Sequence, residues 1–225
     1  MNPSLTEIAY LLDRSGSMSK LRQAAIDGYN EFLQQQKALP GQANLSLVLF
    51  SRDFELPETA TPICEAPELN EKTYITRGFT ALLDAIGETI SSLDRRLEAT
   101  PETERPGKVV VVIFTDGEEN SSQKFTIEDV SESIRAHQST RGWEFIFLGA
   151  NQDAIMNAAK LMMDTQNSSN VEFSFDGIFA AKRAMSRKVT SLRLRSMGIQ
   201  TEDAATPLRD LVDKELQARA KRWRM

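Results

Sequence analysis

Residues 109–114 read Val-Val-Val-Val-Ile-Phe, a β-branched run with no polar interruption. It is too apolar for a surface strand, so it predicts a central strand of a parallel sheet covered on both faces. Any architecture for the rest of the chain has to supply that cover. Three more apolar runs, Ile8 to Leu12, Leu45 to Phe50 and Trp143 to Leu148, read as strands of the same sheet.

Helical patterns lie between these runs. Leu21, Ala25, Ile26, Tyr29, Phe32 and Leu33 share one face of a helix from Ser19 to Leu39, stopped by Pro40-Gly41. Leu82, Leu83, Ile86, Ile90 and Leu93 mark a second helix, from Ala81 to Leu97. Thr126-Ile127-Glu128-Asp129 resembles a capping box and opens a helix to about His137. Further helices are predicted over 151–163 and 177–197. Phe54–Leu56 and Thr61–Cys64 read as a short edge pair broken by Pro57 and Pro62, and Val171–Phe175 as a last edge strand. The fold class is α/β: a doubly wound, mostly parallel sheet flanked by helices. Residues 1–200 form one domain, and 201–225 a short polar helical tail with Leu208, Leu211, Val212 and Leu216 on one stripe.

Three segments bring oxygen to the ends of these elements. Asp13-Arg14-Ser15-Gly16-Ser17 follows the first strand, Thr76-Arg77-Gly78-Phe79-Thr80 opens the second helix, and Thr115-Asp116-Gly117 ends the valine strand. Oxygen-only side chains suit a hard divalent cation such as Mg²⁺. The carboxyl ends of strands are where open α/β sheets place ligands. Taken singly, each segment serves equally well as an ordinary turn or helix cap.

In this order and at these separations, Asp13-x-Ser15-x-Ser17, Gly78-x-Thr80 and Thr115-Asp116-Gly117 resemble the metal-ion-dependent adhesion site (MIDAS) of von Willebrand factor A domains. The resemblance spans roughly residues 5–195. It implies one divalent ion at the top of the sheet, Mg²⁺ with Mn²⁺ or Ca²⁺ able to substitute. Ser15, Ser17 and Thr80 would coordinate it directly or through water, and Asp13 and Asp116 would hold its waters. Two carboxylates and three hydroxyls leave the ion underfilled, so an Asp or Glu from a partner protein would complete it. The implied function is a metal-dependent protein-interaction module, an adaptor in bacterial stress-response, phage-defence or AAA+ ATPase-associated systems. The alternative is a Mg²⁺-dependent hydrolase or phosphotransferase on a similar sheet, which needs a nucleophile and a general base at the ion. Ser15 stands where a dehalogenase-type phosphatase carries a second Asp, and the chain has no Gly-x-x-x-x-Gly-Lys loop, so no enzymatic activity is expected.

Composition narrows the remaining classes. The 225 residues suffice for one α/β domain and a small appendage, and a net charge of −5 argues against a general nucleic-acid binder. One cysteine excludes a disulfide framework and fits a reducing compartment. Cys64 is expected as a small apolar filler and His137 as a solvated or capping residue. No apolar stretch reaches the ~18 residues of a membrane span, and the first strand begins too early for a signal peptide, so a cytoplasmic protein with no membrane partner is expected. Lys182, Arg183, Arg187, Lys188, Arg193 and Arg195 should form a solvated basic face or a dock for an acidic partner. Glu118 and Glu119 are expected to be solvated.

Overall fold

The computed structural model describes residues 1–116, 119–149, 154–172 and 174–222. The expectations for Gly117, Glu118 and the start of the 151–163 helix lie outside the described residues. In chain order the elements are β1 (Asn2–Asp13), α1 (Arg22–Lys37), β2 (Gln42–Phe50), β3 (Phe54–Glu55), β4 (Thr61–Pro62), α2 (Leu82–Ala99) and β5 (Pro106–Thr115). They continue with α3 (Ile127–Arg141), β6 (Glu144–Gly149), α4 (Ala154–Lys160), β7 (Ser168–Asn170), α5 (Phe175–Ser196) and α6 (Leu208–Arg222).

The sheet runs β3-β2-β1-β5-β6-β7, with β4 also on β2. β2, β1, β5, β6 and β7 are mutually parallel. Side-chain alternation divides the core in two. Ile8, Tyr10, Leu12, Val110, Val112 and Phe114 face α1, α5 and α6, whereas Ala9, Leu11, Val109, Val111 and Ile113 face α2 and α3. The valine strand is buried on both faces, and its apolarity follows from that position.

Several local expectations are corrected. The two short strands do not pair with each other: β3 and β4 each pair antiparallel with β2, at Phe50↔Phe54 and Leu45↔Thr61. The last edge strand is Ser168–Asn170, not Val171–Phe175. Ser174 accepts the Gly177 N–H and starts α5 early, while Val171 turns into the core. Cys64 is exposed, because Ile63 and Ala66 take the core positions around it. His137 is buried, because α3 continues past it to Arg141. Its ring lies 4.4 Å from that of Trp143, and its Nε2 stands 2.9 Å from an Asp94 oxygen on α2.

Most cations of the basic helix α5 are engaged rather than solvated, with Arg195 left exposed. Lys182, Lys188 and Arg193 are buried. Lys182 donates to the Ala24 carbonyl, Lys188 to the Ala204 and Thr206 carbonyls at 2.9 Å, and Arg193 to the Gln36 carbonyl at 2.7 Å. Arg187 pairs with Asp203 and Glu215 at 2.8 Å. Gly28 makes room for the Lys182 stem, since a Cβ there would stand 1.9 Å from Lys182 Cδ. The segment after residue 200 packs on α5 through Leu208, Leu211 and Val212, all buried. Among the described residues, no helix is long and apolar enough to cross a membrane.

Candidate metal centre

β1 and β5 lie side by side with Leu12 opposite Phe114, so their carboxyl ends bring Asp13 and Thr115-Asp116 together. The chain leaves β1 towards β2 on one side and later returns to β5 on the other, which makes this the switch point of the sheet. A crevice opens at such a point because the flanking connections diverge.

Asp13 is buried. One carboxylate oxygen accepts the Ser15 N–H at 2.7 Å and the other accepts the Thr115 hydroxyl at 2.5 Å. Burial pushes its carboxyl up to about 6, against those hydrogen bonds and with added repulsion from Asp116. Asp116 is also raised by burial, opposed by the Ser17 hydroxyl. Ser17 Oγ donates to Asp116 at 2.8 Å and lies 3.1 Å from Ser15 Oγ. Asp13, Ser15, Ser17 and Asp116 are therefore gathered at one point.

Thr80 arrives on a separate loop and is buried. Its hydroxyl makes no hydrogen bond among the described residues; its backbone ties it to both neighbouring loops. Gly16 N–H donates to the Gly78 carbonyl at 3.0 Å. Asn120 and Ser121 N–H donate to the Thr80 carbonyl at 3.1 and 3.2 Å, and Thr80 N–H donates to the Asn120 side chain at 2.9 Å. Thr80 caps no helix: the residue before α2 is Ala81, which makes no side-chain cap bond.

That vacancy explains a correction to Glu119, which is not simply solvated. Its carboxylate accepts from Leu83 N–H at 2.8 Å, Ser121 N–H at 2.9 Å and Ser122 N–H at 2.7 Å. It thus satisfies a free N–H at the start of α2 from across the site. Asp84 reciprocates by accepting from Gln123, Lys124 and Phe125 N–H at 2.8–2.9 Å. Burial raises the Asp84 carboxyl, but these donors outweigh it and hold it below the ordinary carboxylate range. Sequence reasoning missed Asp84 and Asn120. The only available signal was an acid in the first turn of a helix, which does not reveal a donor some 40 residues away.

Among the described residues, no three His, Cys, Asp or Glu side chains form a cluster able to hold a metal. The candidate donors are the carboxylates of Asp13 and Asp116 and the hydroxyls of Ser15, Ser17 and Thr80. Neighbouring oxygens in an octahedral Mg²⁺ shell lie about 2.9 Å apart, from metal–oxygen distances of about 2.1 Å. The Ser15 and Ser17 hydroxyls, 3.1 Å apart, agree with that spacing, and Asp116 stands 2.8 Å from Ser17 where it could hold a water, so the residues present fit a hard cation.

Comparison with known proteins bears on the same segment. The sequence profile of the von Willebrand factor type A domain matches residues 7–187. No curated protein matches the chain. Among solved structures, the pilus adhesin SpaC from Lactobacillus rhamnosus GG superposes with a TM-score of 0.60 at 14% identity, over 85% of this chain and 30% of that one. A von Willebrand factor type A protein from Catenulispora acidiphila gives 0.53 at 14% identity, over 83% and 42%. Proximal thread matrix protein 1 from the mussel byssus, with a zinc-occupied MIDAS motif, gives 0.53 at 15% identity, over 82% and 46%. The chain spans less than half the length of each, and identities this low establish the fold alone.

Proposed function

The chain belongs to the von Willebrand factor type A domain family, and from that premise we propose that it is a metal-dependent protein-interaction module with an intact MIDAS. Ser15, Ser17 and Thr80 hold one divalent cation directly or through water, Asp13 and Asp116 hold its waters, and an Asp or Glu of a partner protein completes the shell. The ion is Mg²⁺, replaceable by Mn²⁺ or Ca²⁺. When bound, it supplies an electrophilic position that prefers a charged oxygen to a neutral one.

The observation that carries this reading is the convergence of Ser15, Ser17 and Asp116 oxygens at 2.8–3.1 Å beside buried Asp13. A hydrolase or phosphotransferase would need a general base at the ion. Ser15 stands where a dehalogenase-type phosphatase carries a second Asp, so we read the chain as non-enzymatic. Residues 1–200 are the family unit and 201–225 its extension. The setting is the bacterial cytoplasm, in an adaptor role of the stress-response, phage-defence or AAA+ ATPase-associated kind, with no nucleic-acid or membrane partner.

Calorimetry with Mg²⁺ or Mn²⁺ should give one site in the wild type and none in Asp13→Ala. A partner captured in Mg²⁺ should be released by EDTA. Undiminished metal binding by Asp13→Ala, or equal partner retention in EDTA, overturns the reading.

A further inference from the structure

Five large apolar side chains are exposed among the described residues, and two of them, Ile75 and Phe79, lie in the loop that leads into Thr80. Phe79 is 61% exposed and Ile75 51%. Scattered apolar exposure is ordinary, but an apolar pair beside a ligand site marks a contact surface. The loop that carries them is firmly held. Tyr74 is buried and donates its hydroxyl to the Asp13 carbonyl, while Arg22 donates to the Tyr74 carbonyl at 3.1 Å. Arg77 N–H reaches the Arg14 carbonyl at 2.7 Å, and Ala81 N–H the Ser51 carbonyl at 3.0 Å. Gly78 adopts φ +75°, a left-handed turn that glycine takes without strain, just before Phe79. A surface held this rigidly loses little conformational entropy when a partner lands on it.

Two arginines accompany the apolar pair within a chain of net charge −5. Arg52 and Arg77 are exposed, and neither enters an ion pair among the described residues. A Cβ on Gly78 would meet Arg52 Cβ at 3.9 Å, which places Arg52 against this loop. Asp53 follows Arg52 in the chain without an ion pair to it among the described residues, and Glu55 faces Arg14 at 3.9 Å.

We propose that Ile75 and Phe79, with Arg52 and Arg77, form a second contact surface that reads a partner segment in which an apolar side chain and a further acid flank the metal-binding carboxylate. The inference rests on the function proposed above and adds its specificity: the cation takes any carboxylate, and this surface selects among them.

The test is selection of phage-displayed random dodecapeptides on immobilised protein, in Mg²⁺ and in EDTA. On wild type in Mg²⁺, enriched peptides should carry an acid with Leu, Ile, Phe or Met within a few positions, and a second acid. Phe79→Ser should lose the apolar preference and Arg77→Ala the second acid, while both keep one acid and wild-type Mg²⁺ affinity by calorimetry. The best wild-type peptide, made synthetically, should bind Phe79→Ser about tenfold more weakly, the loss expected for an unburied aromatic side chain. Acid enrichment without an apolar neighbour, or apolar enrichment unchanged on Phe79→Ser, overturns this inference and leaves the metal reading standing. Enrichment insensitive to EDTA overturns both.

Discussion

Replacing Asp13 by asparagine separates the penalty of burying a carboxylate from the gain of holding a cation. Burial moves the Asp13 carboxyl from 3.8 to about 6, with Thr115 and Ser15 opposing. At about 1.4 kcal/mol per pH unit, the ionised folded chain is destabilised by about 3 kcal/mol relative to the unfolded one. Because the folded value lies above the unfolded value, the stability contributed by the protonated form is complete below 3.8 and is lost as pH rises through about 6. Asparagine keeps the size and one acceptor oxygen, removes the charge, and disturbs one accepted hydrogen bond at about 1 kcal/mol. In EDTA at about pH 8 the variant should therefore be more stable than wild type by about 2 kcal/mol, and near pH 3 less stable by about 1 kcal/mol. Urea unfolding at both pH values measures this difference and cancels the carboxylates common to both proteins. Mg²⁺ should reverse the order near pH 8: at about a hundredfold excess over Kd the wild type gains about 2.7 kcal/mol, and the variant gains nothing. A variant less stable than wild type in EDTA near pH 8 would refute the burial argument. An equal Mg²⁺ gain in both proteins would refute the role given to Asp13.

Glu119→Ala leaves the Leu83, Ser121 and Ser122 N–H groups without their acceptor and should lower stability by about 2 kcal/mol in urea titrations; a wild-type midpoint would mean the carboxylate is only solvated. Burial brings the Lys182 amine down to about 7, against Asp27 and Glu31, so its contribution to stability is present above 10.5 and lost as pH falls through about 7. Lys182→Met should accordingly gain on wild type as pH falls, and a thermal-unfolding difference that stays flat with pH contradicts this. Thr80→Ala should weaken peptide binding in anisotropy titrations more than it weakens Mg²⁺ binding by calorimetry, because Thr80 alone comes from outside the two adjacent strand ends; equal losses would place it with Ser15 and Ser17.

The sheet was legible because strands buried on both faces leave short, β-branched apolar runs, as in Val109–Phe114 and Ile8–Leu12. The oxygens at Asp13, Ser15, Ser17 and Asp116 were legible because strand ends are local in sequence and their proximity follows from parallel pairing. Glu119 and His137 were misread for a common reason: the partner that buries each lies some 40 residues away on α2. A carboxylate or imidazole looks solvated until its tertiary donor is known. The lysines and arginines of α5 failed in the same way. Charge runs usually mark a wet face, but here the carbonyls of Ala24, Ala204, Thr206 and Gln36 draw those side chains inward. The edge strand β7 was displaced because its Ser-Ser-Asn composition carries none of the apolar signal on which strand assignment depends.

The backbone bonds that join the loops at Gly16–Gly78, Arg77–Arg14, Ala81–Ser51 and Ser121–Thr80 have a consequence for how this protein could change its partners. None of them uses a side chain of residues 52, 75, 77 or 79. Those four positions can vary in size and charge while the oxygens of Asp13, Ser15, Ser17 and Asp116 stay in place. In the proposed reading, recognition and ion affinity are therefore separable traits. A library randomised at these four positions, on an otherwise unaltered chain, is the route this reading offers to proteins of this fold that keep the proposed ion site and bind new acidic targets.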